Sequence, residues 1–187
     1  MTKIGVILAR FQPIHNGHIE LIRKALNEND KLLILLGSAD KFNNRNPIPS
    51  DLRYDLVVKS LESSNFDMNK IAVIKLDDLS NESDNTLEWG FYLYSNIVKH
   101  IKQDNFTIYY SDGFEIITTW FPGYVLRNHI SLSLMARTTI ENGISATKVR
   151  EYIEKANDEE LKSCVPLPVF EMRNILNNFI KISQKSL

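Results

Sequence analysis

Cysteine is nearly missing from this chain: Cys164 is the single one in 187 residues. One thiol excludes an internal disulfide and any zinc site built from cysteines, and it suits a reducing compartment. Long apolar runs are missing too. A stretch such as Leu32 to Leu36 falls far short of the roughly 20 residues a helix needs to cross a bilayer. The N-terminus runs straight into a strand pattern, without the charged start and apolar core of a secretory leader. Nor is there an excess of one charge: 22 basic and 23 acidic residues give a formal net charge of −1. That balance provides no global pull toward nucleic acid or an anionic membrane. Together these absences predict a cytoplasmic protein with neither a nucleic-acid nor a membrane partner, whose phosphate-binding charge must be local.

What is present alternates. An apolar run over Ile4, Val6, Ile7 and Leu8 predicts a first strand, and Ile19, Ile22, Ala25 and Leu26 recur at helical spacing from Asn16 to about Asn27. Lys31 to Gly37 is apolar without alternation, as in a parallel strand covered on both faces. A polar loop with three asparagines, two prolines and two cations fills Asp40 to Pro49. A helix then begins at Ser50, read as its N-cap, with a stripe of Leu52, Leu56, Val57 and Leu61. Ile71 to Leu76 predicts a third strand. After the polar segment Ser80 to Asn85, a helix from about Thr86 places Leu87, Phe91, Tyr94, Val98 and Ile101 on one face. Phe106 to Tyr110 is a fourth strand, Phe114 to Trp120 a short helix stopped by Pro122-Gly123, and Ile130 to Met135 a fifth strand nearer a sheet edge. From Ala146 onward the pattern is helical, with Pro166 and Pro168 separating two segments.

This order predicts an α/β fold, a Rossmann-like doubly wound parallel sheet with C-terminal helices. Residues 1–150 form the expected core and 151–187 a helical extension of the same domain. In such sheets ligands lie at the carboxyl ends of the strands. The polar clusters at 10–18, 37–45, 78–89, 111–113 and 144–150 nearly all follow a predicted strand.

The densest cluster is Arg10-Phe11-Gln12-Pro13-Ile14-His15-Asn16-Gly17-His18. Pro13 and Gly17 bracket a turn from strand to helix, where helix N–H groups and the positive dipole end face open space. Two imidazoles around a glycine there make a polyphosphate cradle, and Arg10 can reach the same place. Arg45, in the polar loop after Gly37-Ser38-Ala39, is a candidate phosphate clamp. A second anion site lies at Ile144 to Arg150, where Ser145 or Thr147 caps a helix whose first turns carry Lys148 and Arg150. Transfer of a nucleotidyl group needs such parts and no general base, because the attacking phosphate is already anionic. Trp89, with Asp78 and Asn85 nearby, offers an indole face for a cationic or aromatic ring, or else packs in the core. Trp120 and Phe121 are read as packing residues, and Cys164 as core.

These motifs resemble the nucleotidyltransferase superfamily over about positions 3 to 150. Within it they look most like the archaeal and bacterial nicotinamide-nucleotide adenylyltransferases of the R-F-Q-P-x-H-x-G-H type. Ala9 stands where that family commonly has Gly before the arginine. The resemblance implies transfer of the adenylyl group of ATP to nicotinamide mononucleotide, giving NAD and pyrophosphate. It implies Mg2+ held mainly by the ATP phosphates, with no metal ligands of the protein's own. It assigns catalysis to His15, His18, Arg45 and Arg150, and ATP and its phosphates to Arg10, Phe11, Gly17, Ser145, Thr147 and Lys148. The nicotinamide ring falls to Asp78, Asn85 and Trp89. Relatives of this kind are often multimeric, so a homo-oligomer is expected on resemblance alone. The alternatives are a sister activity, cytidylyl transfer (Arg137-Thr138 before Gly143-Ile144-Ser145 resembles cytidylyltransferases) or pantetheine-phosphate adenylyl transfer, and a nucleotide-binding module without turnover.

Overall fold

The structure, a computed structural model, describes residues 2–79, 86–111, 115–136 and 143–185. Five strands form one all-parallel sheet: β1 (Ile4–Ala9), β2 (Lys31–Leu36), β3 (Ile71–Lys75), β4 (Phe106–Ser111) and β5 (Ile130–Met135), in the order β3-β2-β1-β4-β5. The chain winds outward from β1 through β2 to β3, then returns to the other side of β1 with β4 and β5. The point where strand order reverses therefore lies between β1 and β4, and a crevice at the carboxyl ends of these strands is where such sheets bind ligands.

Alternation along the central strands feeds two cores. Ile7, Leu32, Ile34 and Leu36 face a cluster built with α1 (Asn16–Glu28) and α2 (Ser50–Ser63), together with α5 (Ala146–Glu154), α6 (Asp158–Cys164), α7 (Leu167–Glu171) and α8 (Arg173–Lys185). Val6, Leu33, Leu35 and Ile108 face the opposite cluster, with α3 (Leu87–Ile101) and α4 (Gly123–Asn128). Both faces of the sheet are covered, which is why β2 reads as a continuous apolar run. The C-terminal helices share the first core: Ile153, Leu161, Val169, Leu176 and Ile180 pack in the same cluster as Ile7 and Ile22. No helix among the described residues is long and apolar enough to cross a membrane.

Several expectations are corrected. Pro49, not Ser50, caps α2, and Ser50 is already helical. The stretch expected as a short helix from Phe114 to Trp120 is, among the described residues, a 3-10 helix over Glu115–Thr119, Phe114 lying outside them. Pro122-Gly123, read as a stop, is instead the start of α4, with Pro122 as its N-cap. Pro166 likewise caps α7 and Pro168 lies in its first turn, so the C-terminal region holds four helices rather than two. A proline's fixed φ and missing N–H are tolerated at a helix start, so these residues begin helices as readily as they end them.

The buried face of α3 is also rotated from the expected stripe. Trp89, Gly90, Leu93 and Ile97 are buried, while Leu87 and Phe91 are exposed. Gly90 is the reason. A Cβ there would lie 1.8 Å from the Trp120 carbonyl oxygen, so only glycine lets the helix backbone come so close to the segment after β4.

Candidate active site

At the carboxyl end of β1 the chain turns through Phe11, whose φ of 48° is left-handed, and then enters α1 at His15. Phe11 is buried and packs its ring 4.8 Å from that of His18. His15 occupies the N-cap position with an extended backbone. Its N–H donates to Nδ1 of His18 at 3.2 Å, and the two imidazoles lie 3.8 Å apart, tilted by 35°. A ring that accepts at Nδ1 carries its proton on Nε2 when neutral, so this bond makes the other nitrogen of His18 a donor. Gly17 lets the pair sit this close to the helix. A Cβ at that position would come within 3.1 Å of the His15 ring and 3.2 Å of Ile144.

The Arg45 loop is pinned beside this turn. Gln12, almost fully buried, holds Ile48 from both sides: its Nε2 donates to the Ile48 carbonyl at 3.2 Å and its Oε1 accepts from the Ile48 N–H at 2.9 Å. Within the loop the Asn43 side chain accepts from the N–H groups of Arg45 at 3.1 Å and Asn46 at 2.9 Å. This closes a turn that leaves Arg45 exposed at its tip. Phe42 of the same loop meets Phe179 of α8 edge-on, 6.3 Å between ring centres.

The second predicted anion site is built as a helix start. Ser145 is the N-cap of α5, its hydroxyl accepting from the Lys148 N–H at 3.2 Å, which settles the choice between Ser145 and Thr147. Thr147 lies in the first turn and accepts from Nη2 of Arg150 at 3.3 Å. Nη1 of Arg150 donates to the Gln12 carbonyl at 2.8 Å. Arg150 thus ties α5 to the first motif across 138 residues of sequence. Lys148 points toward the ring of Tyr152, 5.9 Å from its centre.

The bonds of Gln12 to Ile48 and of Arg150 to the Gln12 carbonyl bring these segments into one region, and charge acts across it. The pKa of Arg10 is lowered by burial first, then by the cations Arg45 and Arg150, while Asp78 opposes the shift. Burial also lowers that of Arg150, against Glu154 and Glu151. Arg10, at the end of β1, is thus opposed by Arg45 from the loop after β2 and by Arg150 from α5, and a polyanion bound beside it would relieve that repulsion. Asp78 follows β3; its carboxylate accepts from the Ser38 hydroxyl at 3.0 Å and its N–H donates to Asp40 at 2.9 Å.

The nicotinamide assignments are placed less directly. Trp89 is buried, 6% exposed, with Trp120 edge-on at 5.9 Å and Tyr92 at 5.5 Å. Its indole N–H is buried without a hydrogen-bond partner among the described residues. Trp120 and Phe121 pack in the same core, as expected. Asn85 lies outside the described residues, as do Asp112-Gly113 and Arg137-Thr138. Ala9 closes β1 in extended conformation, half-buried against the core, and its carbonyl accepts from the Gly37 N–H at 2.9 Å.

Sequence reasoning missed Arg53. It is fully buried, and its guanidinium bonds the carbonyls of Arg10, Gly37, Ser38 and Ile48. The available signal was its position: Arg53 shares a helix face with Leu56, Val57 and Ser60, a charge on a stripe that should be apolar.

Comparison with known proteins identifies the family and the fold. The cytidylyltransferase-like family matches residues 6–152. A nicotinamide-nucleotide adenylyltransferase of Thermococcus kodakarensis is 29% identical over 98 residues, 52% of this chain and 50% of the relative. One from Methanococcus aeolicus is 40% identical over 63 residues, 33% of this chain and 37% of the relative. The matched stretches thus span about half the length of these curated relatives or less. Among solved structures, a bifunctional NMN adenylyltransferase/ADP ribose pyrophosphatase of Francisella tularensis shares the fold at a TM-score of 0.71 and 20% identity, covering 97% of this chain and 50% of that one. The same enzyme complexed with AMP and an Mn ion gives 0.65 at 23% identity, over 83% and 42%. A nicotinate-nucleotide adenylyltransferase structure from Vibrio parahaemolyticus gives 0.68 at 15% identity, over 100% and 98%.

Proposed function

The chain belongs to the cytidylyltransferase-like family, and from that premise we propose that it moves the adenylyl group of ATP onto nicotinamide mononucleotide, releasing pyrophosphate and forming NAD. The observation that carries the reading is the meeting of three segments at the β1 end that leads into His15 and His18: Arg150 donates to the Gln12 carbonyl at 2.8 Å, Gln12 holds the Arg45 loop through Ile48, and the charges of Arg45 and Arg150 act on Arg10. An oxygen of the acceptor phosphate attacks the α-phosphorus, forming one P–O bond as the bond to the bridging oxygen of the leaving pyrophosphate breaks. The attacking group is already an anion, so the work of the protein is to align it and to meet the charge that builds on the α-phosphate and the leaving group. His18, made an Nε2 donor by its bond from the His15 N–H, and the α1 N-terminus serve the α-phosphate. Arg45 and Arg150 serve the leaving group.

Among the described residues no three His, Cys, Asp or Glu side chains gather to hold a metal ion. Mg2+ would enter on the polyphosphate, as this ion usually does, and would supply neutralisation of phosphate charge. The bifunctional Francisella enzyme, solved in complex with AMP and an Mn ion, supports the use of a divalent ion. Asp78, Asn85 and Trp89 take the nicotinamide side, as the resemblance to nicotinamide-nucleotide adenylyltransferases implies. The Vibrio and Plasmodium falciparum neighbours are described as nicotinate or nicotinic acid enzymes, so the deamidated acceptor is the second reading.

The test is pyrophosphate release with ATP or CTP against nicotinamide mononucleotide, its deamidated form, phosphopantetheine and phosphorylated alcohols. Release with ATP and the nicotinamide acceptor is the expected result. Release driven only by CTP would move the chain to cytidylyl transfer, and nucleotide binding without release under any acceptor would make it a binding module.

A further inference from the structure

Arg53 is 0% exposed, and the transfer chemistry gives it no direct part. Its four hydrogen bonds all go to backbone carbonyls: Nε to Ile48 at 2.9 Å, Nη1 to Arg10 at 2.6 Å and to Gly37 at 2.9 Å, and Nη2 to Ser38 at 2.9 Å. No carboxylate of the described residues forms an ion pair with it. Burial, and next the charge of Arg10, pull its pKa to about 10, which leaves it charged at neutral pH. Asp78 opposes that shift from a distance, but a buried cation that forms no ion pair is expensive, and a methionine of similar length would fill the same space without that cost. What the guanidinium adds is a rigid fork with several donors in one plane, which neither a methionine nor a lysine reproduces.

The four carbonyls come from three places. Arg10 sits at the end of β1, Gly37 and Ser38 at the end of β2 where the Arg45 loop leaves, and Ile48 where that loop returns. One planar group therefore fixes both ends of the Arg45 loop relative to the Arg10 turn. We propose that Arg53 is a positioning residue of the nucleotide site, whose guanidinium sets Arg10 and Arg45 in the register that lets both face one polyphosphate. The inference rests on the phosphate-binding reading of those two arginines.

The experiment is calorimetric titration of inorganic tripolyphosphate into the unaltered chain, Arg53→Lys and Leu61→Ala. Lysine keeps the charge but loses the fork. Leu61 is a fully buried residue farther along the same helix, so its truncation supplies a destabilised control with the site untouched. Arg53→Lys is expected to weaken tripolyphosphate at least 10-fold while Leu61→Ala stays within twofold of the unaltered chain. Equal weakening by the two variants, or an Arg53→Lys affinity within twofold, would overturn the inference. Should Arg53→Lys not fold, native-state hydrogen exchange on the unaltered chain decides. The amides of Gly37, Ile48 and Arg53 are expected to open as one unit, and opening of Ile48 independently of Gly37 would overturn the staple. Tripolyphosphate binding needs no turnover, so failure of adenylyl transfer in the pyrophosphate assay is read separately. A chain that binds no tripolyphosphate overturns both.

Discussion

His18 has two duties that a single substitution can separate. Its Nδ1 accepts the His15 N–H at 3.2 Å, which orients the ring, and that orientation leaves the proton on the nitrogen proposed to face the α-phosphate. His18→Ala is expected to lower turnover at least ~10²-fold, as for loss of a preorganised charge-stabilising donor, with only about 1 kcal/mol of stability lost with the helix-start bond. Steady-state kinetics and thermal denaturation on the same preparation check the two effects, and unchanged turnover would remove His18 from the chemistry. Trp89 needs a gentler change, because it is 6% exposed and packs on Trp120. Truncation to alanine would cost about 3–5 kcal/mol from lost core packing alone and would blur any binding effect. Trp89→Phe keeps most of the ring and removes the indole N–H, which has no hydrogen-bond partner among the described residues. The expected outcome is a higher KM for nicotinamide mononucleotide with the KM for ATP unchanged. Equal changes in both would leave Trp89 as a packing residue.

At the level of elements, α3 shows where packing overrides pattern. With Gly90 lying against the Trp120 carbonyl, Gly90→Ala must push the helix away from the segment after β4. The expected loss is at least ~2–3 kcal/mol, the upper end for overpacking, read as a lower denaturation midpoint in urea. A second link, between β4 and α1, is sensitive to alkali. Tyr109 donates to Glu28 at 2.8 Å and accepts from Asn29 at 2.7 Å, and its pKa is pushed up to about 12 by burial and then by its bond to Glu28. A raised folded pKa means stability that is complete below the ordinary tyrosine value near 10 and is lost as pH rises toward 12. Urea midpoints measured from pH 9 to 11.5 are expected to fall less steeply for Tyr109→Phe than for the unaltered chain. These two elements also show what a sequence discloses. All five strands were legible, because buried parallel strands leave apolar runs between turn residues. The buried face of α3 was not, since it is set by one glycine's approach to a carbonyl far along the chain. The start of α4 was hidden because Pro122-Gly123 has the same composition whether a helix ends or begins there. Arg53 was hidden for a related reason: its acceptors are backbone carbonyls, which have no residue type to reveal them. The motifs proposed to bind phosphate were legible because their chemistry is local, each a helix start or a loop after a strand.

For the molecule as a whole, the open question is how far the candidate site depends on residues 151–187, which lie almost entirely beyond the matched family region ending at residue 152. Contacts tie this part to the site at two points. The Asn16 side chain, within the first motif, donates to the Ser163 carbonyl at 3.1 Å, and Phe179 of α8 touches Phe42 of the Arg45 loop. The same part supplies the core, with Leu176 0% and Ile180 2% exposed in the cluster that holds α1 and α2 to the sheet. Removing two such side chains costs about 2–5 kcal/mol each, and the total is comparable to the whole stability of a domain, roughly 5–15 kcal/mol. A chain ending at Met172 is therefore expected not to fold cooperatively, rather than to fold as a core with weakened activity. Circular dichroism during urea unfolding distinguishes the two, with loss of the sigmoidal transition as the expected outcome. A cooperative transition near that of the full chain would show that α8 is an appendage. In that case its ring contact through Phe179 with Phe42 would bear little on the Arg45 loop, and the shortened chain should keep its tripolyphosphate affinity within a few-fold. The one-domain reading requires the opposite, because α8, the helix that would be lost, completes the core on which α1 and α2, the carriers of His18 and Arg53, are seated.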